Sequence, residues 1–215
     1  MNIKGAIFDL DGTLLDSMHI WHAIDRSFLE ESGVKVPDNL SEMLKKKTIE
    51  QCVEYFISEL GVAQSKKQVM KRLNELMRDV YLTRIELKPF AHRMLDRLKE
   101  KGIMLCVATA NDYDLTCDAL KHLGVLQMFL FVTTCGLLNC SKTEPKIYNY
   151  CAERLGLKPD EVLVFEDALH AAVVAKEAGF RVVGVYDRSS EAQKERMKEV
   201  CDLYIHSFDE DIPLL

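Results

Sequence analysis

The stretch Ile3-Lys4-Gly5-Ala6-Ile7-Phe8-Asp9-Leu10-Asp11-Gly12-Thr13-Leu14 decides the fold. Ile3 to Phe8 is a short, mostly apolar run closed by turn residues, which reads as a buried strand of a parallel sheet. Two carboxylates, Asp9 and Asp11, then alternate before Gly12. On an extended chain, side chains two apart project to the same side, so the spacing places both acids together at the strand end. Two such carboxylates repel, and both stay ionised only beside a cation or by sharing a proton. Aspartate and glycine also make an ordinary strand-to-helix turn, and this stretch alone does not separate the two readings.

Further along the chain, four more apolar runs have strand character: Met104 to Ala108, Leu130 to Thr134, Val162 to Phe165 and Arg181 to Val185. Amphipathic helical patterns lie between most of them. Phe90 to Lys101 stops at Gly102, Tyr113 to Leu123 at Gly124, Lys146 to Leu155 at Gly156, and Leu169 to Ala178 at Gly179. Glycine just past a helix end supplies the left-handed conformation that closes it. The alternation predicts an α/β fold with a doubly wound, Rossmann-like parallel sheet. Residues 17–84 break the rhythm with three apolar stripes: Ile20, Ile24, Phe28; Val53, Phe56, Ile57, Leu60; and Val69, Leu73, Leu76, Val80. That length far exceeds what a crossover needs, so it reads as an inserted helical subdomain. The expected division is a core of 1–16 with 85–215 and an insert of 17–84.

Three other places carry chemistry. Thr109, in Val107-Ala108-Thr109-Ala110-Asn111, offers a hydroxyl at a strand end beside backbone N–H groups, suited to a phosphate or to a helix N-cap. Lys142, in Ser141-Lys142-Thr143-Glu144-Pro145, is either a solvated loop lysine or a counter-charge for a phosphate. Glu166-Asp167 closes a strand, where paired acids suit a hard cation or Asp167 caps the next helix.

With 48% hydrophobic and 29% charged residues, the 215-residue chain has the balance of a globular protein. It has no apolar run of membrane-spanning length and no signal-peptide pattern, so a cytoplasmic protein without membrane contact is expected. A net charge of −6, with mixed signs, argues against a nucleic-acid partner. Lys45-Lys46-Lys47 reads as a solvated helix face. The seven cysteines form no CxxC pair and read as reduced thiols.

Taken together, Asp9-x-Asp11-Gly12-Thr13, Thr109, Lys142 and Glu166-Asp167 resemble the four motifs of the haloacid dehalogenase-like superfamily. The likeness spans nearly the whole chain and points to the branch with a helical cap that includes β-phosphoglucomutase-like and phosphoglycolate phosphatase-like enzymes. It implies a phosphoric monoester hydrolase that needs Mg2+ and acts on a small phosphorylated metabolite, as a monomer or weak homodimer. It further implies that Asp9 is the nucleophile and Asp11 the acid and base. Thr109, Ala110, Asn111 and Lys142 would hold the phosphoryl group, while Asp9, Asp11 through its carbonyl, Glu166 and Asp167 would hold the metal. The first strand would lie between the second and fourth, gathering Asp9, Thr109 and Asp167 at one sheet edge. The cap would hinge near 15–17 and 83–87.

The chain departs from the family pattern in several places. Pro89-Phe90-Ala91 stands where a Pro-Gly pair is usual, and Ala168 and Ala171 stand where a hydroxyl residue and a glycine are usual. His170 reads as a surface or capping histidine, Trp21 as core, and His19 with His22 as a weak metal pair. Two further readings share the scaffold: a phosphosugar mutase and a non-catalytic binding protein. Against the mutase, Lys45 matches a cap lysine, yet Ile49 stands where its companion arginine belongs. Asn111 and Asp112 likewise replace a serine and a lysine, which puts an anion where a phosphate would sit. Asp11 argues against a dehalogenase, which lacks that residue.

Overall fold

The structure, a computed structural model, describes residues 3–44 and 49–214. Lys45 to Lys47 and the side chains of Trp21, His22 and Ile49 lie outside the described residues. The chain folds as two compact units, Met1–Ser17 with Ile85–Leu215, and Met18–Arg84.

The first unit is a parallel sheet covered by helices. Its strands are β1 (Gly5–Phe8), β2 (Met104–Thr109), β3 (Phe131–Thr134), β4 (Val162–Glu166), β5 (Arg181–Val185) and β6 (Leu203–Ile205), in the order β3-β2-β1-β4-β5-β6. β1 is wholly buried, and every neighbour in the sheet is parallel. The apolar runs become strands because burial on both faces leaves no place for polar residues. Phe8 and Phe165, opposite each other on β1 and β4, stack with centroids 4.3 Å apart. Gly5 leaves room for the next layer: a Cβ there would meet Leu157 Cδ1 at 2.6 Å. β6 was not anticipated from the sequence. It is a three-residue edge strand, shorter than any alternation pattern can reveal.

The second unit carries helices α1 (Met18–Glu31), α2 (Leu40–Leu44), α3 (Ile49–Ser58) and α4 (Lys66–Thr83). α1 and α3 both pack on α4. Ile20, Ile24, Phe28, Val53 and Phe56 are buried as their spacing predicts, but α4 buries Val69, Leu73, Met77 and Tyr81. Its stripe therefore advances by four residues throughout instead of stepping to Leu76 and Val80. Those two residues line a cavity of about 360 Å³ with Ile20 and Ile24.

Six more helices belong to the first unit: α5 (Ala91–Glu100), α6 (Tyr113–His122), α7 (Cys135–Leu138), α8 (Lys146–Leu155), α9 (Leu169–Glu177) and α10 (Lys194–Val200). Phe90, just before α5, has φ 63° and ψ 4°. This is the left-handed conformation that the usual glycine adopts freely and that burdens a Cβ-bearing residue by about 1–2 kcal/mol. The departure at Pro89-Phe90 is therefore a strained copy of the same turn.

Candidate active site

The site lies within the first unit, past the carboxyl ends of the central strands. β1 stops at Phe8, and the chain turns at once: Leu14 N and Leu15 N both donate to Leu10 O at 2.9 Å, with Gly12 at φ 81°. The chain after Phe8 is therefore a turn and not a continued extended strand. Asp9 is buried, while Asp11 is half-buried. Asp9 N donates to Phe165 O at 3.0 Å, which ties the first carboxylate to β4.

Lys142 is buried, so the solvated-loop reading does not hold. Its ammonium donates to Asp9 Oδ1 and, at 2.5 Å, to Glu166 Oε1. Burial alone would lower the lysine, yet Asp9 and Glu166 carry it well above its ordinary value, so it stays charged. Burial, then Asp9, pushes Glu166 up to about 7, against the opposing pull of Lys142. Burial, Asp9 and Glu166 drive Asp167 well above the carboxylate range, partly offset by Thr13 Oγ1, which donates to Asp167 Oδ1 at 3.0 Å. Asp167 does not cap α9. The N-cap there is Ala168, which has no side-chain acceptor, and Ala168 N instead donates to Glu166 Oε2 at 3.4 Å.

Thr109 ends β2 and accepts from Asn111 N at 3.0 Å. It does not cap the next helix; Asp112 does, accepting from Leu115 N at 3.0 Å. The acid read as repelling a phosphate is thus the N-cap of α6, where the helix N-terminus favours a carboxylate. Asn111 Nδ2 donates to Asp11 Oδ2 at 2.9 Å, so the predicted substrate-binding amide holds the second carboxylate. Ala110 occupies the same loop after β2. His170 opens α9; burial and then Lys142 lower its imidazole, so it is neutral at pH 7. His19 belongs to the helical unit.

Asp9, Glu166 and Asp167 place ligand atoms within 4.8 Å of one another, and all three residues are buried. Three carboxylates beside one ammonium make an oxygen-donor site with surplus negative charge, the surroundings a hard divalent cation requires. The donor set fits Mg2+, with Glu166 the member most engaged elsewhere. Sequence reading passed over Tyr148, whose hydroxyl donates to Glu166 Oε1 at 2.9 Å. The signal was a tyrosine on the buried face of α8, where a phenol needs an acceptor.

Comparison with known proteins follows the same lines. Residues 6–185 match the family described as haloacid dehalogenase-like hydrolase. The chain belongs to this family. Among relatives of the haloacid dehalogenase-like hydrolases, it is 26% identical over 184 residues to a phosphorylated carbohydrates phosphatase of Thermotoga maritima, covering 85% of each. It is 30% identical over 195 residues to (DL)-glycerol-3-phosphatase 2 of Arabidopsis thaliana, covering 86% of this chain and 80% of the relative. The solved β-phosphoglucomutase of Clostridium difficile superposes with a TM-score of 0.74 at 20% identity, covering 96% of this chain and 92% of that one. That likeness shows a shared fold and does not extend to the reaction. Among the described residues, no helix is long and apolar enough to cross a membrane.

Proposed function

We propose that the protein is a Mg2+-dependent phosphatase that hydrolyses a small phosphorylated sugar or polyol through an aspartyl-phosphate on Asp9. The observation that supports it is the buried ammonium of Lys142 between Asp9 and Glu166, beside the third carboxylate Asp167. Phosphoryl transfer needs in-line positioning and neutralisation of charge more than elaborate covalent chemistry. The names of the two relatives, a carbohydrate phosphatase and a glycerol phosphatase, support the substrate class.

In this reading, an Asp9 carboxylate oxygen attacks phosphorus and the substrate alcohol leaves with its bond electrons. Asp11 supplies the proton to that alcohol, oriented by the Asn111 amide. Asp11 then takes a proton from water, which attacks the same phosphorus and returns Asp9 as carboxylate. Splitting the transfer through a covalent intermediate makes two easier steps. Lys142 and the Thr109 hydroxyl hold phosphoryl oxygens, and Thr13 fixes Asp167. Asp9, Asp167 and the Asp11 carbonyl would hold Mg2+, with Glu166 beside them. Bound there, the ion would offset repulsion between the nucleophile and the anionic phosphate.

The test is release of inorganic phosphate from a panel of sugar, hexitol and glycerol phosphates with Mg2+. Release that stops on chelation and returns with Mg2+ is the expected result. Conversion of a hexose 1-phosphate to its 6-phosphate, with little phosphate freed, would establish a mutase instead. Release that survives exhaustive chelation would exclude the metal.

A further inference from the structure

We propose that Tyr148 is a positioning residue of this site, acting through Glu166 on Lys142. The inference rests on the phosphatase reading and adds to it a residue outside the family's four motifs. Glu166 Oε1 accepts from both Lys142 Nζ, at 2.5 Å, and the Tyr148 hydroxyl, at 2.9 Å. Its other oxygen accepts from Ala168 N at the longer distance of 3.4 Å. The carboxylate is therefore held between two donors, and both come from one short segment. Lys142 precedes α8, and Tyr148 lies in its first turn.

This geometry has a clear mechanical result. A carboxylate on a two-carbon stem can swing about its last torsion, a broad and weakly restrained rotation. The phenol stops that swing by fixing Oε1, and the ammonium is then presented to Asp9 from one direction. Without the hydroxyl, Glu166 keeps Lys142 as its one strong donor, and the pair can rotate together away from Asp9. A phenol beside a carboxylate oxygen donates its proton to the hydrogen bond, so Tyr148 is the donor and Glu166 the acceptor. The ring is buried and packs at 6.1 Å from Phe180, and a phenylalanine would preserve that packing.

Tyr148→Phe in the full-length chain isolates the hydroxyl. Two readouts are compared with wild type in Mg2+: KM for p-nitrophenyl phosphate, and the dissociation constant of inorganic phosphate by calorimetry. Both are expected to weaken about tenfold, the scale of one hydrogen bond to a charged group. The thermal midpoint should stay within a few degrees. In a Glu166→Ala background, which removes the shared acceptor, Tyr148→Phe should change neither constant further, because the route to Lys142 is already broken. A purely structural tyrosine would lower the midpoint and kcat while leaving KM and phosphate affinity unchanged, and that result overturns the proposal. So does an equal loss in the Glu166→Ala background. If wild type releases and binds no phosphate, the phosphatase reading falls and this inference falls with it. If wild type does both and Tyr148→Phe matches it, only this inference falls.

Discussion

The core unit buries Asp9, Thr13, Thr109, Lys142, Glu166, Asp167 and Asp187, whereas the helical unit of residues 18–84 buries, among its described residues, only apolar side chains, cysteine and tyrosine. Polar groups in an interior lower stability unless each is paired, and a set with surplus charge of one sign is worse. The helical unit follows the rule for a packed bundle. The core unit departs from it most where three carboxylates cluster and two of them, Asp9 and Glu166, share the Lys142 ammonium. The contrast locates function without any motif: chemistry sits where the interior carries charge that packing alone would not select. Asp25 is the partial exception in the helical unit. It is half-buried, and burial pushes its carboxyl up to about 7.

The sharpest way to break the comparison is to remove charge from the core. Asp9→Asn should end turnover, because an amide cannot form the acyl phosphate, while Asp11→Asn should lose about 10²–10⁴-fold with its acid and base. In metal-free buffer Asp9→Asn should not unfold more easily than wild type, since it relieves repulsion with Glu166 and Asp167. Marked destabilisation, by calorimetric scanning, would mean that this acid holds the fold together.

Lys142→Met should act in the opposite direction on stability. It leaves Asp9 and Glu166 buried without their counter-charge, a change on the order of 3–5 kcal/mol in other proteins. Urea unfolding should show a lowered midpoint. A stability equal to wild type would mean that the acids are protonated or that water enters freely.

Asp25 tests the helical unit. Its carboxyl holds a proton in the fold up to about pH 7, against an ordinary value of 3.8 when unfolded. The folded state therefore binds the extra proton between those values, and stability falls as pH rises through that window, then levels. Asp25→Asn should be neutral near pH 4 and most stabilising near pH 8, by on the order of 2 kcal/mol. A gain independent of pH would show that titration plays no part.

The smallest effect belongs to the surface. Arg72 donates to Glu31 through Nε and Nη2, both at 2.9 Å, from an exposed position. Arg72→Ala should lower the urea midpoint only slightly, and salt should erase most of the difference. A loss as large as that of Lys142→Met would show that the helical unit, too, depends on charge.

The signals that were legible in the sequence were those of burial. β1, β2, β4 and β5 follow from short apolar runs, and α8 from its stripe and the Gly156 stop. The site acids were visible because charge beside an apolar strand is conspicuous. Three features could not be read. β6 is too short for a period to register. The α4 stripe was misread because Leu76 and Met77 are equally apolar and only tertiary packing chooses between them. Tyr148 was passed over because its acceptor is Glu166 on a separate strand, a partnership that spacing does not encode.

The place of β1 also bears on how the chain is made. Gly5 pairs with Met104 on one side and Val162 on the other, so the earliest strand waits for late partners. The helical unit is one continuous stretch of chain, Met18–Arg84, and can be complete while β1 still lacks both neighbours. Non-local pairing of this kind is slow, and an unpaired apolar strand is open to aggregation. During synthesis, therefore, the vulnerable element is the strand that leads into Asp9. Its protection begins only when residues beyond 104 emerge and finishes after 162.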